Sequence, residues 1–124
     1  MSWQAYVDDQ LVGAKNSNLI GAAIIGHDGS VWAAKNLALK QGEGAALASA
    51  FKTGSTQGLM MGGTKFQLIR NDGGNIQLKQ GTNGFCICKT GQAILIGKYD
   101  QTCQTGSANN TVTNLAEYLI GQGC

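Results

Sequence analysis

The last stretch of the chain, residues 107–123, carries the clearest pattern of hydrophobic and polar positions. Its apolar residues recur at the spacing of one stripe along an α-helix. They are Val112, Leu115, Ala116 and Leu119. Ser107 is predicted to cap the first turn, and Gly121 to end the helix in a left-handed turn. Tyr118 lies beside the stripe, so its ring is expected to reach the surface.

A second helix is predicted at the opposite end of the chain, over residues 2–12. Trp3, Val7 and Leu11 form its apolar stripe. Trp3 and Tyr6 are three residues apart, so their rings are expected to be neighbours on one face. Because neither helix can bury its stripe alone, we expect both to dock on the segment between them.

That middle segment has the pattern of β-strands separated by turns. Residues 19–26 are apolar on both faces, which is typical of a central, doubly covered strand. A short helix is predicted over residues 42–52, and residues 53–63 are expected to be irregular. Further strands are predicted at 30–35, 66–71, 76–79, 85–89 and 92–98. Turns are predicted at Asp28-Gly29, Asp72-Gly74, Asn83-Gly84 and Thr90-Gly91.

This order of elements predicts an α+β fold, with helices segregated from a central antiparallel sheet. The chain has 124 residues, which is the size of one domain over 1–124. Its net charge of +2 argues against a dedicated nucleic-acid binder, although residues 35–98 carry eight basic and two acidic side chains. Residues 1–20 lack the pattern of a secretory signal, and no apolar run reaches the ~20 residues of a membrane span. We therefore expect a cytoplasmic protein with reduced cysteines.

Catalytic constellations are scarce, and no catalytic or metal site is predicted. His27 is the only histidine and stands next to a predicted turn, where a solvated side chain is expected. Cys86 and Cys88 would share one face of a strand without a second ligand pair, so they are expected to be buried small hydrophobes. Asp8 and Asp9 are adjacent and would diverge by about 100° on a helix, which makes a poor acid–base pair. The chain is therefore expected not to be an enzyme and to need no cofactor.

The aromatic residues suggest a binding surface instead. Three of the eight aromatic residues, Trp3, Tyr6 and Tyr118, lie on the two terminal helices, and Trp32 lies on an early strand. An exposed array of Trp and Tyr suits polyproline II peptides, which stack on flat rings and accept hydrogen bonds from indole N–H and phenol O–H. The alternative, which stays open, is that Trp3 and Trp32 are core anchors.

Four blocks of sequence together carry a resemblance to a known family. They are residues 1–8 (MSWQAYVD), 28–33 (DGSVWA), 62–66 (GGTKF) and 115–121 (LAEYLIG). In combination they resemble the profilin family, and the match covers essentially the whole chain. The resemblance implies a central antiparallel sheet with both terminal helices together on one face and smaller helices on the other.

The resemblance also implies function and partners. The expected partners are monomeric actin, proline-rich segments of actin assembly factors, and phosphoinositide lipids at the membrane surface. Such a protein is expected to be a cytoskeleton-associated monomer that regulates actin polymerisation. It would promote nucleotide exchange on actin without catalysing covalent chemistry.

The family's functional positions fall on three sets of residues in this chain. The polyproline surface falls on Trp3, Tyr6, Trp32, Tyr118 and Leu119. The actin surface falls on Lys65, Arg70, Lys89, Gln104, Gly106, Asn109, Asn110 and Asn114. The phosphoinositide surface falls on Lys65, Arg70, Lys79 and Lys89.

Two other functional hypotheses stay open at the level of sequence, because fold alone does not fix function. One is a small sheet-based binding module of signalling or vesicle traffic that does not bind actin. The other is a lipid-surface binder that uses the basic middle segment, where each basic group near an anionic membrane contributes about 1 kcal/mol. Retention on a poly-proline column and sedimentation of an actin complex would separate the three.

Overall fold

The fold is taken from a computed structural model of the chain. It describes residues 3–12, 19–27, 30–35, 37, 44–47, 49, 60–61, 64–65, 67–71, 75–80, 83–91, 93–100 and 105–123. Within these ranges, the strands are β1 (Gly21–Gly26), β2 (Val31–Lys35), β3 (Met60–Met61), β4 (Thr64–Lys65), β5 (Gln67–Asn71), β6 (Asn75–Gln80), β7 (Asn83–Lys89) and β8 (Ala93–Tyr99).

Six of these strands form one antiparallel sheet, in the order β2-β1-β8-β7-β6-β5. β1, which is buried along its whole length, lies between β2 and β8, as the apolar run over residues 19–26 predicts. β7 and β8 are joined by the predicted Thr90-Gly91 turn, and Thr90 N–H donates to the carbonyl of Ala93 at 2.8 Å.

Helices cover the sheet at both ends of the chain and in the middle. The N-terminal helix begins as an α-helical turn, α1 (Trp3–Ala5), and continues as a π-helix over Tyr6–Val12. Residues 44–47 and 49 are helical and are named α2, and the C-terminal helix is α3 (Thr105–Gly121). The prediction of a short middle helix is therefore confirmed for these residues.

The two faces of the sheet bury separate hydrophobic clusters. The helix-side core joins both terminal helices to one face of the sheet, and it consists of Val7, Leu11, Leu19, Ala22, Ile24, Ala33, Cys86, Cys88, Ala93, Leu95, Tyr99, Val112, Leu115, Ala116 and Leu119. The far-side core contains Leu47 of α2, with Ala23, Ile25, Ile76, Leu78, Phe85, Ile87, Ile94 and Ile96. The predicted α+β arrangement, with both terminal helices on one face and a short helix on the other, is confirmed.

The ends of α3 differ from their prediction. The helix already includes Thr105, so Ser107 lies inside it and is not the residue before its first turn. At the other end, the left-handed residue is Gly123, with φ of 84°, whereas Gly121 is still helical. The left-handed turn therefore comes two residues later than the apolar stripe suggested.

Two further predictions about local structure are wrong in part, and two predicted turns cannot be compared with the structure. Residues 53–63 were expected to be irregular, but Met60–Met61 pairs with Thr64–Lys65 in a separate two-stranded ladder. Asn83-Gly84 was expected to be a turn, but both residues begin β7, opposite Gln80 and Lys79. The predicted turns at Asp28-Gly29 and Asp72-Gly74 lie outside the described residues.

The environment of His27 also differs from the solvated turn expected for it. Its ring is half-buried, and Nε2 lies 3.0 Å from the carbonyl oxygen of Thr90 and 3.3 Å from that of Ala93. Because a carbonyl oxygen only accepts hydrogen bonds, this contact assigns the proton to Nε2. His27 therefore ties the end of β1 to the β7–β8 turn.

Candidate functional site

Four aromatic rings form a continuous row across the edge of the helix-side face. Trp32 lies 5.0 Å from Trp3, Trp3 lies 5.8 Å from Tyr6, and Tyr6 lies 6.5 Å from Tyr118, measured between ring centroids. The neighbouring planes are tilted by 47° to 55°, within the range of favourable aromatic pairs. We call these four residues the aromatic row. It joins β2, the N-terminal helix and α3 in one surface.

The aromatic row is anchored in its middle and open at its ends. Trp3 and Tyr6 are half-buried and pack against the helix-side core. Trp32 is 39% exposed and Tyr118 is 53% exposed. The sequence left two alternatives, an exposed binding surface or aromatic residues that anchor the core. The structure combines them, because the row packs on the core at Trp3 and Tyr6 and faces solvent at Trp32 and Tyr118. The predictions that Trp3 and Tyr6 are neighbours and that Tyr118 reaches the surface are confirmed.

Trp32 reaches the row because of an irregularity in strand pairing. Ile24 pairs with Ala33 and Ile25 pairs with Val31, so β2 uses one more residue than β1 across this interval. Trp32 is the extra residue of this β-bulge. A bulge bends its strand locally and re-aims a side chain.

The bulge decides which face of the sheet receives the indole. Ala33 belongs to the helix-side core, whereas Ala34 packs against the far-side core. Regular alternation along β2 would send Trp32 to the same face as Ala34, away from Trp3. Its contact with Trp3 therefore depends on the bulge, and the aromatic row would lose one end without it.

The N-terminal helix changes its winding within the aromatic row. Trp3 lies in the α-helical turn, and Tyr6 is the first residue of the π-helical segment. Val7 and Leu11 in this segment are fully buried in the helix-side core. π-Helical turns are rare, and many occur at functional sites. Here the π-helical segment anchors the helix on the core through Val7 and Leu11. The rings of Trp3 and Tyr6 lie at the N-terminal end of the helix.

Leu119, which was predicted to share the polyproline surface, has a different environment. Its side chain is fully buried in the helix-side core, together with Val112, Leu115 and Ala116. The next residue, Ile120, is 56% exposed. Leu119 therefore lies beneath the surface that Tyr118 presents, and its part in the polyproline surface stays a prediction.

A polar network joins β6, β7 and α3 away from the aromatic row. Asn75 Nδ2 lies 2.9 Å from Asn109 Oδ1 and 2.9 Å from Cys88 Sγ, and it donates to both. Gln77 Nε2 donates to Asn75 Oδ1 at 3.3 Å, and Cys88 Sγ lies 3.6 Å from Thr113 Oγ1. We call these five residues the asparagine network. It fixes the N-terminal half of α3 against the sheet.

The asparagine network contains one residue of the predicted actin surface, Asn109. Asn109 is half-buried within it, and Asn110 and Asn114 are exposed on α3 nearby in the chain. Lys89 is exposed at the end of β7, one residue after Cys88. Elsewhere in the set, Gly106 lies in α3, Arg70 in β5 and Lys65 in β4. Gln104 lies outside the described residues.

The residues predicted for phosphoinositide binding are spread over the sheet. Lys79 pairs with Gly84 at one end of the β6–β7 ladder, whereas Lys89 lies five residues further along β7. At ~3.4 Å per residue, their backbones are roughly 17 Å apart along the strand direction. Both side chains are exposed. Lys79 and Lys89 are thus far apart on the sheet and do not lie side by side in one compact pocket.

The described residues supply little else that would do chemistry. Cys86 and Cys88 are buried on one face of β7, as predicted, and form no disulfide with another described residue. No group of three or more His, Cys, Asp or Glu side chains within the described ranges is arranged to hold a metal ion. Among the helices of that part of the chain, none is long and apolar enough to cross a membrane.

Comparison with known proteins decides the family. The family model described as Profilin matches residues 1–124. The chain belongs to the profilin family. It is 51% identical to Profilin-A of Physarum polycephalum over 126 aligned positions, which cover 99% of each chain. The crystal structure of Acanthamoeba castellanii profilin II superimposes with a TM-score of 0.91 at 46% identity, covering 99% of this chain and 100% of that one.

Two more distant structures are complexes that share the profilin fold. One is mouse profilin IIa in complex with a double repeat from the FH1 domain of mDia1, with a TM-score of 0.78 at 22% identity, covering 100% of both chains. The other is a LokiProfilin2–rabbit actin complex, with a TM-score of 0.78 at 21% identity, covering 98% of both chains. At these identities the likeness concerns the fold.

Two contributors to this profilin's site were not predicted from the sequence. Gln4 contacts β2 through its side chain, and no local pattern marks a polar residue on a helix for such a role. Asn75 forms the centre of the asparagine network, but its partners Cys88 and Asn109 are distant in sequence. For the bulge at Trp32 a signal did exist, because residues 31–34 are apolar without the alternation of a half-buried strand.

Proposed function

We propose that this profilin-family chain is a single-domain binding protein that docks proline-rich, polyproline II segments on the aromatic row. The observation that carries the proposal is the unbroken contact from Trp32 through Trp3 and Tyr6 to Tyr118. A polyproline II helix has no internal hydrogen bonds, so its carbonyls are free to accept from indole N–H and phenol O–H groups. It is also stiff before binding, so a shallow groove suffices.

The test of this function is direct binding to a proline-only ligand. We expect the purified chain to be retained on a poly-proline column and to be released by free proline peptide. Titration calorimetry with a proline decamer should give a saturable isotherm. A peptide of equal length in which glycine replaces proline should not bind, because it lacks both the rings and the stiffness. Passage through the column without retention would contradict the proposal.

We further propose that the same protein binds monomeric actin and regulates actin polymerisation and nucleotide exchange. The structural support is the asparagine network, which holds the start of α3 beside β6 and β7. The exposed Asn110 and Asn114 lie on the same helix, and the exposed Lys89 ends β7. Family membership supports the partner. On this proposal the protein works as a monomer in the cytoplasm, associated with the cytoskeleton, and acts by binding and not as an enzyme. A folded protein that bound poly-proline but not actin would favour the signalling or traffic module.

A charge reversal on β5 tests the actin surface. Arg70→Glu should weaken actin binding by about fivefold to tenfold, because a basic surface that meets an acidic partner surface both attracts and orients it. Proline-peptide affinity should stay within twofold of wild type, about 0.4 kcal/mol, since β5 is the opposite edge strand of the sheet from β2. Sedimentation with monomeric actin and calorimetry with the peptide measure the two. A parallel fall of both affinities in a folded variant would contradict separate surfaces.

Anionic phosphoinositides are proposed as a third ligand class, bound by a dispersed basic surface that includes Lys79 and Lys89. Because these side chains are exposed, their attraction to a membrane should be screened beyond ~8 Å at physiological ionic strength. Cosedimentation with phosphoinositide-containing vesicles should therefore fall steeply as salt rises, and the lipid should compete with actin at low salt. Binding that stays constant with salt would instead indicate insertion of apolar side chains.

A further inference from the structure

The side chain of Gln4 pairs with the backbone of the edge strand β2 as another strand would. Gln4 Nε2 donates to the carbonyl oxygen of Ala34 at 3.1 Å, and Ala34 N–H donates to Gln4 Oε1 at 3.4 Å. One carboxamide thus satisfies both backbone groups of a single residue. The two residues are 30 positions apart in the chain, so this is a tertiary contact.

Ala34 is available for this contact because of its place in the sheet. Among the described strands, β2 is the last on its side of the sheet and pairs only with β1. In an antiparallel ladder, alternate residues of an edge strand direct N–H and C=O away from the neighbouring strand. Ala34 stands opposite Ala23 and is such a residue, since its groups bond to Gln4. Unpaired groups of this kind on an edge strand attract foreign strands, and the Gln4 carboxamide covers one pair of them.

The orientation of the carboxamide is set by a third contact. Gln4 Nε2 also donates to Asp8 Oδ1 at 3.0 Å, one helical turn further along. An ionised carboxylate only accepts hydrogen bonds, so a flipped amide would place Oε1 against both Asp8 and the Ala34 carbonyl. In the observed orientation, Gln4 Nε2 donates to Asp8 and to the Ala34 carbonyl, and Gln4 Oε1 accepts from the Ala34 N–H. We call the three contacts the Gln4 clamp.

The Gln4 clamp runs parallel to the indole contact of the aromatic row. Gln4 follows Trp3 directly, and Ala34 lies two residues beyond Trp32. The same two segments are therefore joined twice, once by carboxamide and backbone and once by two rings 5.0 Å apart. Trp3 lies in the first turn of the N-terminal helix, and the backbone N–H groups of a first turn have no partner within the helix to hold them.

We propose that Gln4 is a positioning residue, which sets the register of Trp3 against Trp32 and so preforms the aromatic row for its ligand. This inference rests on the proposed proline-peptide function for its ligand, but the positioning itself can be measured without any ligand. Gln4 is exposed and contributes no ring to the row. Its effect on affinity acts through the placement of Trp3.

The decisive experiment replaces the carboxamide by a group of similar length that makes no strong hydrogen bonds. Gln4→Met should weaken proline-decamer binding by about 3- to 10-fold, which corresponds to the net loss of a small number of hydrogen bonds. In the free protein, Overhauser cross-peaks between the Trp3 and Trp32 rings should weaken. Hydrogen exchange of the Ala34 amide should accelerate, while the Lys35 amide, on the adjacent residue, should keep its wild-type rate.

The matched control is Lys35→Met, which places the same side chain on an exposed position of β2 next to Ala34. It should leave the ring cross-peaks, Ala34 exchange and peptide affinity at wild-type values. A second variant, Gln4→Glu, keeps length and shape but faces the Ala34 carbonyl and Asp8 with an acceptor. It should weaken binding more than Gln4→Met, an order that loss of packing alone would not produce.

The possible outcomes separate this inference from the proposed function. If Ala34 exchange accelerates in Gln4→Met while cross-peaks and affinity stay at wild-type values, the clamp exists but does not position Trp3, and the inference is wrong. If the wild-type protein does not bind the decamer, the proposed function fails. Loss of the ring cross-peaks in Gln4→Met, but not in Lys35→Met, would still support the positioning role in that case.

Discussion

Trp3→Ala should lower the affinity for a proline decamer at least ~30-fold, which is the cost of about 2 kcal/mol typical for truncating a central aromatic anchor. Trp3 is the ring that contacts both Trp32 and Tyr6, so its removal divides the aromatic row into two parts. Actin binding should be largely kept, because the proposed actin surface lies on other elements. Titration calorimetry with the decamer and sedimentation with monomeric actin measure the two effects.

The control for this prediction is Ile120→Ala, which also truncates an exposed apolar side chain, but one outside the aromatic row. Its peptide affinity should equal that of wild type. Trp3 also packs against the helix-side core, so the melting temperature of Trp3→Ala must be measured alongside. A folded Trp3→Ala protein with wild-type affinity for poly-proline would remove the aromatic row from the functional account.

The elements with strong periodicity could be predicted from the sequence, for a physical reason. Apolar residues spaced like Val112, Leu115 and Leu119 are buried together only when the segment is a helix packed on a core. The structure buries all three. The all-apolar run over residues 19–26 likewise has to be covered on both faces, which places β1 inside the sheet. In both cases, burial of apolar surface dominates the free energy, so pattern alone suffices.

The features that pattern did not predict depend on hydrogen bonds between distant residues. The β-bulge at Trp32, the Gln4 clamp and the contact of His27 with the β7–β8 turn each follow from the relative placement of two strands or of a strand and a helix. The hydrogen bonds of Gln4 and His27 each contribute only about 0.5–1.5 kcal/mol net, so no strong compositional signal marks them. Two of these features, the β-bulge and the Gln4 clamp, nevertheless involve the segments that carry Trp3 and Trp32.

The sequence predicted which aromatic residues meet at the candidate site, but it predicted the geometry of the site only in part. Trp3, Tyr6, Trp32 and Tyr118 do meet, since the two helices that carry three of them share one core. Leu119 was assigned to the polyproline surface through the resemblance to profilins, although the periodicity also placed it in the apolar stripe of the last helix. Neighbouring residues of a helix point about 100° apart. The stripe that buries Leu119 is also what exposes Tyr118.

Gly97→Ala should lower the free energy of unfolding by about 1–3 kcal/mol, the usual cost of overpacking a core. Gly97 lies in β8 beneath α3, and a Cβ atom there would come within 2.6 Å of Val112 Cγ2 and 3.1 Å of Leu19 Cδ1. The Leu19 side chain can shift by a few tenths of an ångström to make room. Val112 cannot, because it is β-branched and has one strongly preferred rotamer on a helix. Helix α3 must therefore move away from the sheet. Chemical denaturation measures the loss.

The same displacement should reach the binding surface, because α3 carries Tyr118 and the ring of Tyr118 is 6.5 Å from that of Tyr6. We therefore expect Gly97→Ala to weaken proline-peptide binding as well, although Gly97 is buried and cannot touch a ligand. The control is Gly121→Ala, since a Cβ there meets nothing within 4 Å. Alanine is the better helix former, so Gly121→Ala should stabilise by up to about 1 kcal/mol. Equal stability of the two variants would show that α3 does not need the close approach at Gly97.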